Sequence, residues 1–569
     1  MKARQFYRSA ISAAVMAAIS FPVLAANDNV PPVPFEELTT VKGTIIEPVI
    51  TEQRTRSKRS LSDAAGQLDG DWFNLDPEMN GIEGSSVDRV YDTISLTPSN
   101  TPVVVAVIDS GVDVHHEDLQ GKIWENPREI PNNGFDDDFN GYVDDVYGWN
   151  FIGGRDGSHV AYDTLAVTRE YKRYLAYKDY GVWLTPEEKA YFAGVEKEYL
   201  ADSEAANSKY QAFKAMYDEA QASKAVLQNK HGQTDFSLAA IEQISSDDPE
   251  VMKAAEYLVQ TLSTWRSFEY MDSMLERYSS AVDYHYNLDY DPRVEIVKDQ
   301  PYNPWQYRYG NNDVIGPDAS HGTHVAGIIA ADRYNQLGVR GVANNVKIMA
   351  LRVVANGDER DKDVANAVRY AVDNGAKIIN MSFGKAYSPY KDVVDEAFRY
   401  ASRRGVLLVH SAGNSHTDND IKPSYPNRFL LYYPGHRIGT WLDIGASGNY
   451  KDQRLATSFT NFGKDSVDVF APGYKIMSTI PGNNYQAFSG TSMASPVVSG
   501  VAALALTYFP DLKGRQLKKA ILETVRTYEG HMVQNPATPE VMVPFSELSA
   551  TGGVVDAYQL LQHLQEKQQ

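Results

Sequence analysis

Short apolar runs alternate along this chain with segments of helical periodicity, and this alternation limits the possible folds more than any other feature. The run TPVVVAVIDSG at 101–111 lies between a proline and a glycine, which is typical of a strand buried on both faces of a parallel sheet. Similar runs follow at 346–354, 376–383, 405–414, 441–447 and 467–472. The segments 362–375 and 393–405 have helical spacing and end on glycine. The pattern predicts an α/β fold with a doubly wound, mostly parallel sheet, whose sites form at the carboxyl ends of the strands.

Residues 155–290 interrupt this alternation and predict an α-helical hairpin inserted into the α/β domain. Thr185 followed by Pro, Glu and Glu has the pattern of a helix start, and apolar residues then recur at spacings of three and four as far as His231. A second long helix is predicted to begin at Asp248. The insertion could guard an active site, offer a surface to a partner or only stabilise the fold, and the sequence leaves these alternatives open.

The first 25 residues have the pattern of an export signal. Three basic residues, Lys2, Arg4 and Arg8, precede an apolar segment that ends on small residues and is too short for a typical membrane span. Residues 26–70 are rich in proline, threonine and charge, and are either a solvated linker or a processed leader. We expect an exported protein, periplasmic or extracellular. No later apolar run is expected to span a bilayer, so stable membrane insertion after signal cleavage is not predicted.

The composition excludes several classes of function. The chain contains no cysteine, which rules out disulfides, thiolate nucleophiles and cysteine-ligated zinc, and no redox or organic cofactor is expected. The formal net charge of −20 disfavours binding to nucleic acid. An exported protein without disulfides needs another means of stabilisation, and structural calcium is one.

Three segments place residues with catalytic potential at the boundaries of predicted elements. Asp109 ends a buried strand, while His321 in HGTHVAG and Ser492 in GTSMASP each open a segment of small residues that predicts a buried helix. Helix N-termini present free backbone N–H groups and the positive end of the dipole, which suits a serine whose substrate becomes an oxyanion. Each residue alone has an ordinary structural explanation, but the order Asp, His, Ser is one of the known orders of a catalytic triad.

The segments DSGVD at 109–113, HGTHVAG at 321–327, SAGN at 411–414 and GTSMASP at 490–496 closely resemble the subtilisin-like serine peptidases, the subtilase family. The resemblance implies a peptidase domain of subtilisin type over 71–565, interrupted by the helical insertion.

The resemblance also implies a role for each residue of the site. Ser492 would be the nucleophile, His321 the general base and then acid, and Asp109 the orienting carboxylate. The side-chain amide of Asn414 and the backbone N–H of Ser492 would stabilise the oxyanion. The segment NMSFG at 380–384 resembles the family strand that pairs with an extended substrate, which implies Ser382 and Gly384 as substrate-binding residues.

Two sets of residues are candidates for binding calcium. The resemblance implies one site at Asp118 and Asn335, where a carboxylate and an amide supply hard oxygen ligands. The acidic segment 132–145 matches the opening of an EF-hand loop, but Tyr147 stands where the closing glutamate belongs. A partial calcium loop and an acidic surface loop both fit that segment. Its candidate ligands are Asp136, Asp138 and Asn140.

His324 follows His321 by three residues, and this spacing differs from that of helical zinc-binding pairs, so we expect His324 to pack in the core. Asp109 and His321 are 212 residues apart in the sequence, because the whole insertion lies between them.

Three functions remain to be distinguished: an exported serine endopeptidase acting on proteins or peptides, a catalytically silent or autoinhibited binding protein of the same fold, and an exopeptidase. The presence of Asp109, His321, Asn414 and Ser492 together favours the endopeptidase.

Overall fold

The computed structural model describes residues 70–567 and, for the backbone alone, the two-residue strand Glu47–Pro48. The export signal predicted at 1–25 and most of the leader at 26–70 lie outside the described residues. The chain forms two compact units, one of Met1–Ala161 with Pro292–Gln569 and the other of Tyr162–Asp291. The second unit begins and ends close to the boundaries predicted for the insertion.

A large parallel sheet forms the framework of the first unit. In chain order, the strands are β1 Glu47–Pro48, β2 Val103–Asp109, β3 Gly148–Asn150, β4 Val346–Arg352, β5 Ile378–Met381, β6 Leu407–Ser411, β7 Trp441–Ser447, β8 Val469–Pro472, β9 Ile476–Ile480, β10 Asn484–Ser489, β11 Arg526–Thr527, β12 Met532–Asn535, β13 Thr538–Pro544 and β14 Gly553–Val554. Among the described residues, the main sheet has nine strands in the order β11-β14-β8-β7-β6-β5-β2-β4-β3. All neighbours in this sheet are parallel except β11 and β14. The doubly wound, mostly parallel sheet predicted from the sequence is confirmed.

Helices cover both faces of this sheet and also build the second unit. In chain order, the α-helices are α1 Pro77–Asn80, α2 Val87–Thr93, α3 Ala166–Asp179, α4 Pro186–Val226, α5 Leu238–Ile241, α6 Pro249–Trp265, α7 Phe268–Ser280, α8 Ser320–Ala330, α9 Asp361–Asp373, α10 Lys391–Arg403, α11 Thr491–Tyr508, α12 Gly514–Glu523 and α13 Ala557–Glu566. On one face of β2, Val105 and Val107 share a core with α8 and α11. On the other face, Ala106 and Ile108 share a core with α9 and α10.

Strand β2 has β4 on one side and β5 on the other, so the direction of winding reverses there. In doubly wound sheets a crevice opens at such a point, outside the carboxyl ends of the strands. Asp109 is the last residue of β2, and its neighbour Ile108 is in register with Met381, the last residue of β5. The fold therefore directs a site to the ends of β2 and β5.

Helix α11 corrects one expectation from the sequence. No apolar run after the export signal was expected to be long enough to span a bilayer, but Thr491–Tyr508 is long and apolar enough to do so. This segment is 94% buried inside the protein. Ala494, Val498 and Ala502 lie in the same core as Val105 of β2. The helix is apolar because it is surrounded by protein, as a core helix must be.

The second unit is helical, and its first arm is close to the prediction. Thr185 caps α4, with its hydroxyl accepting the Glu188 N–H at 3.1 Å and its own N–H donating to the Glu188 carboxylate at 2.8 Å. The helix continues through a π-helical turn, Leu227–His231, to Gly232 in the left-handed region. The second arm is two helices rather than one, because Arg266 has φ 64° and ends α6 before α7 begins.

Candidate active site

The carboxyl end of β2 and the N-terminus of α8 bring Asp109 and His321 into direct contact. The Nδ1 atom of His321 lies 2.7 Å from Oδ1 of Asp109, and the two residues are 4% and 1% exposed. The same oxygen accepts the N–H of Ser110 at 2.7 Å. Oδ2 of Asp109 is buried without a hydrogen-bond partner among the described residues. The carboxylate is thus committed to orienting the imidazole.

Glycine at position 322 makes this close approach possible. A Cβ added to Gly322 would lie 2.0 Å from the carbonyl oxygen of Gly111 and 3.1 Å from Cβ of Asp109. Since real atoms cannot come so close to a backbone oxygen, any larger residue would push the first turn of α8 away from β2. The first glycine of HGTHVAG therefore positions His321.

The electrostatics of the pair favour a protonated imidazole. Burial by itself would lower the pKa of His321, but the Asp109 charge and hydrogen bond outweigh it and raise the pKa above its ordinary value of 6.5. When the pKa of a group is higher in the folded protein than in the unfolded chain, its protonation stabilises the fold. This contribution is complete at pH values below the unfolded-state pKa and is lost as the pH rises through the folded-state pKa. The neutral imidazole, which can take a proton from a hydroxyl, therefore predominates only above this raised pKa.

Ser492 is the second residue of α11 and lies beside the end of β5. Its hydroxyl donates to the carbonyl oxygen of Ser382 at 3.1 Å, and the Ser382 hydroxyl donates to the Ser492 carbonyl at 2.9 Å. Because β5 is the neighbour of β2, the partners of Ser492 and of His321 stand at adjacent strand ends. Within residues 70–567, no hydrogen bond joins the Ser492 hydroxyl to His321, a contact that often tightens only when substrate is bound.

The amide of Asn414 is oriented by the residue that precedes Ser492. Its Oδ1 accepts the N–H of Thr491 at 2.8 Å and the Thr491 hydroxyl at 2.9 Å, so its Nδ2 is the end left for other partners. A Cβ added to Gly490 would lie 3.3 Å from this Nδ2 and 3.6 Å from the backbone nitrogen of Ser492. The two N–H donors thus flank one small space beside Gly490.

The sequence profile of the subtilase family matches residues 100–538. The chain belongs to the subtilase family. A thermophilic serine proteinase from Bacillus sp. (strain AK1) is 39% identical over 230 residues, which are 39% of this chain and 51% of that protein. Subtilisin DY from Bacillus licheniformis is 36% identical over 207 residues, which are 36% of this chain and 69% of that protein. The chain thus spans about half the length of the first of these relatives.

His324 of this subtilase is a structural residue, as expected. Its Nε2 lies 3.0 Å from the carbonyl oxygen of Ile476 and 2.9 Å from that of Gln486, and its ring stacks on Phe488. Burial lowers the pKa of His324 to about 3, so the ring stays neutral. The side chain joins α8 to the hairpin of β9 and β10.

Asp118 and Asn335 of the subtilase lie together, as a shared calcium site requires. The Asn335 amide nitrogen donates to Oδ1 of Asp118 at 2.7 Å, and the Val339 N–H donates to Oδ2 at 3.1 Å. Burial raises the pKa of Asp118 to about 6. The amide oxygen of Asn335 accepts the Leu337 N–H at 2.9 Å, so the amide would have to turn before that oxygen could bind a cation.

A second acidic cluster lies in and beside the loop at 132–145. Carboxylate oxygens of Glu129, Asp138 and Asp145 lie within 4.8 Å of one another. Asp138 belongs to this cluster, whereas Asp136 accepts the N–H groups of Asn140 and Gly141 and so closes the loop. The amide nitrogen of Asn140 donates to the cluster at Asp145. Of the three candidate ligands in this loop, the structure therefore brings only Asp138 into a group of carboxylates.

Sequence reasoning missed two residues that support the site. Thr491 fixes the amide of Asn414, and His410 contacts the backbone next to Ser382. Thr491 stands inside the motif that identified Ser492 and has no pattern of its own. His410 is a buried polar residue in the apolar run of β6, and that exception in an apolar run was the available signal.

The raised pKa of His321 can be measured directly. In the Ser492→Ala protein, which cannot digest itself, we expect an NMR titration to place this pKa above 6.5, and Asp109→Asn to lower it, because the carboxylate is the main cause of the increase. His324 should stay neutral and serve as the reference. A pKa of His321 at or below 6.5, or a pKa that is unchanged in the Asp109→Asn variant, would contradict this account.

Proposed function

We propose that this subtilase is a serine endopeptidase that cleaves protein or peptide substrates through an acyl-enzyme. The observation that carries the proposal is the meeting of four elements at two adjacent strand ends, with Asp109 holding His321 at 2.7 Å and Ser382 holding Ser492 at 3.1 Å. Asn414 is oriented by the residue before Ser492. A binding protein without catalysis would need none of this alignment.

The proposed reaction begins with rotation of the Ser492 hydroxyl from the Ser382 carbonyl towards Nε2 of His321. His321 takes the proton while Oγ attacks the scissile carbonyl carbon, and Asp109 stabilises the resulting imidazolium. His321 then gives this proton to the leaving amine as the C–N bond breaks. Water, activated by the same imidazole, hydrolyses the acyl-enzyme and regenerates the serine.

The space beside Gly490 is the proposed oxyanion hole. During attack the carbonyl oxygen becomes negatively charged, and N–H donors already aimed at that position stabilise it without reorganising. Asn414 Nδ2 and the Ser492 backbone N–H flank this space, and the start of α11 adds the positive end of its dipole. Thr491 prevents the amide from turning its oxygen inward.

Rotation of the Ser492 hydroxyl would also free the carbonyl of Ser382. That carbonyl could then accept an N–H from an extended substrate, with Gly384 further along the same segment. Main-chain pairing of this kind is indifferent to substrate sequence. It suits cleavage within a chain, where residues continue on both sides of the bond.

We also propose export, on the basis of the basic residues and the apolar segment at 1–25. Recovery of the protein from the periplasm or the medium would test export, and an uncleaved N-terminus on that protein would contradict a removable signal at 1–25.

Structural calcium is proposed at Glu129, Asp138 and Asp145. Glu129 is 8% exposed, and its Oε2 has no hydrogen-bond partner among the described residues. Arg128 pairs with Asp138 at 2.9 Å, but burial still raises the pKa of Asp145 to about 6 and also raises the pKa of Glu129, so the remaining negative charge is costly. A hard divalent cation with oxygen ligands would neutralise them. Asp118 with Asn335 is the second candidate.

Labelling with a fluorophosphonate probe and peptide mapping tests the endopeptidase. We expect the probe to modify Ser492, because only an activated serine in an open cleft reacts, and casein cleavage to be lost in Ser492→Ala. Cleavage of peptides with a blocked N-terminus would separate an endopeptidase from an aminopeptidase. An unlabelled folded protein, or equal casein cleavage by both proteins, would exclude the proposed function.

Removal of the Asn414 donor should slow turnover more than it weakens binding. For Asn414→Leu we expect kcat to fall by about 10²–10³, the size of effect known for an oxyanion-hole amide in subtilisin, with little change in KM. The reason is that this donor acts on charge present only in the transition state. Steady-state kinetics on a peptide amide measure it, and an unchanged kcat would remove Asn414 from the mechanism.

Calcium should raise the melting temperature measured by calorimetry. At a calcium concentration 100 times the dissociation constant, binding should add about 2.7 kcal/mol to the free energy of unfolding. Glu129→Gln should abolish most of the difference between calcium and chelator, whereas Glu125→Gln, at an exposed position nearby, should retain it. If the change in melting temperature between calcium and chelator is the same in both variants, the cluster is excluded as the calcium site. Asp118→Asn then tests the second candidate.

A further inference from the structure

His410 is a buried imidazole directly behind the segment that carries Ser382. It lies on β6 next to β5 and is 2% exposed. Its Nε2 lies 2.9 Å from the carbonyl oxygen of Phe383, and its Nδ1 lies 2.8 Å from Oδ1 of Asp443 on β7. A carbonyl oxygen can only accept a hydrogen bond, so the contact to Phe383 places a proton on Nε2 of His410. The proposed reaction uses neither contact.

The contact to Phe383 controls a short irregular segment. Strand β5 ends at Met381, and residues 382–384 then run without the ladder of hydrogen bonds that holds a strand. The Ser382 carbonyl faces the Ser492 hydroxyl, while the next carbonyl, that of Phe383, faces His410. A Cβ added to Gly384 would lie 3.9 Å from Nε2 of His410. The imidazole therefore lies beside Phe383 and Gly384, the two residues of this segment that follow Ser382.

The imidazole is itself held by a network of buried charges. Arg428 donates to Oδ2 of Asp443 from Nε at 3.2 Å and from Nη2 at 3.0 Å, and it also pairs with Asp468. Burial would raise the pKa of Asp443, but Arg428 first and His410 next keep it below its ordinary value. The carboxylate thus stays ionised and anchored. A hydrogen bond to such a group fixes the ring in one orientation.

We propose that His410 is a positioning residue for substrate, because its Nε2–H holds the Phe383 carbonyl and so fixes the backbone of 382–384 that pairs with an extended peptide. The inference deepens the proposed endopeptidase function and depends on it. His410 does not touch the reacting atoms. It determines how well the residues of a substrate before the scissile bond are aligned, and therefore acts on long substrates.

The test compares two substrates on His410→Ala. A blocked tetrapeptide p-nitroanilide extends along the segment, whereas a blocked single-residue p-nitrophenyl ester reaches only the triad. We expect kcat/KM for the tetrapeptide to fall about 10- to 100-fold, mainly through KM, because the buried Phe383 carbonyl is left without a hydrogen-bond donor. The value for the ester should stay close to that of the native protein.

Further variants separate positioning from folding. His410→Gln supplies an amide N–H at similar reach and should recover most of the loss. Asp443→Asn keeps the size of the side chain, removes the charge that holds the ring and should reduce tetrapeptide cleavage selectively even if His410→Ala does not fold. His531 also contacts a backbone carbonyl, that of Asp452 at 2.9 Å, and His531→Ala should leave both substrates unaffected.

Equal losses on both substrates, no loss on either, or no recovery in His410→Gln would overturn the positioning role. Fluorophosphonate labelling of Ser492 distinguishes this failure from failure of the proposed function. A native protein that is not labelled removes the peptidase function, and the positioning role with it. A labelled His410→Ala protein with selective loss on the tetrapeptide supports both.

Discussion

Parallel pairing of β2 with β4 and β5 is the constraint on which the rest of this structure depends. Since the strands run in the same direction, their carboxyl ends share one edge of the sheet, and the Asp109 and Ser382 backbones stand side by side there. Helices α8 and α11 pack on the same face of the sheet and begin near that edge. The groups proposed to carry out acyl transfer thus lie on rigid elements, which hold a site more accurately than loops do.

Two buried carboxylates near this edge, Asp109 and Asp443, are each matched by a charged or hydrogen-bonding partner. An unpaired charge in the interior loses its hydration without compensation. Asp109 is matched by His321 beside the cleft, and Asp443 by Arg428 and His410 behind it. In the proposed reaction the first pair exchanges a proton with substrate, whereas the second pair is enclosed and is proposed to hold the backbone. Two carboxylate–imidazole contacts of similar length are thus assigned different proposed roles because of what surrounds them.

Local features of the sequence predicted much of the fold. The apolar runs that contain β2 and β4 to β8, and the cap of α4 at Thr185, depend on neighbours along the chain and were found at their observed places. The break at Arg266 was missed because the apolar periodicity continues through it. The carboxylates Glu129 and Asp145 and the anchor of His410 by Asp443 were missed because these partners belong to different segments, and no local pattern relates them.

The sequence by itself determined which residue types stand at the ends of strands and the starts of helices, because hydrophobic periodicity and capping act over a few residues. It also determined family membership, through short motifs around Asp109, His321 and Ser492. Only the tertiary structure decided which of these residues meet. Asp109 and His321 are 212 residues apart, and their contact at 2.7 Å depends on strand order, register and the docking of α8. Those are set by packing of the whole domain, which no short segment encodes.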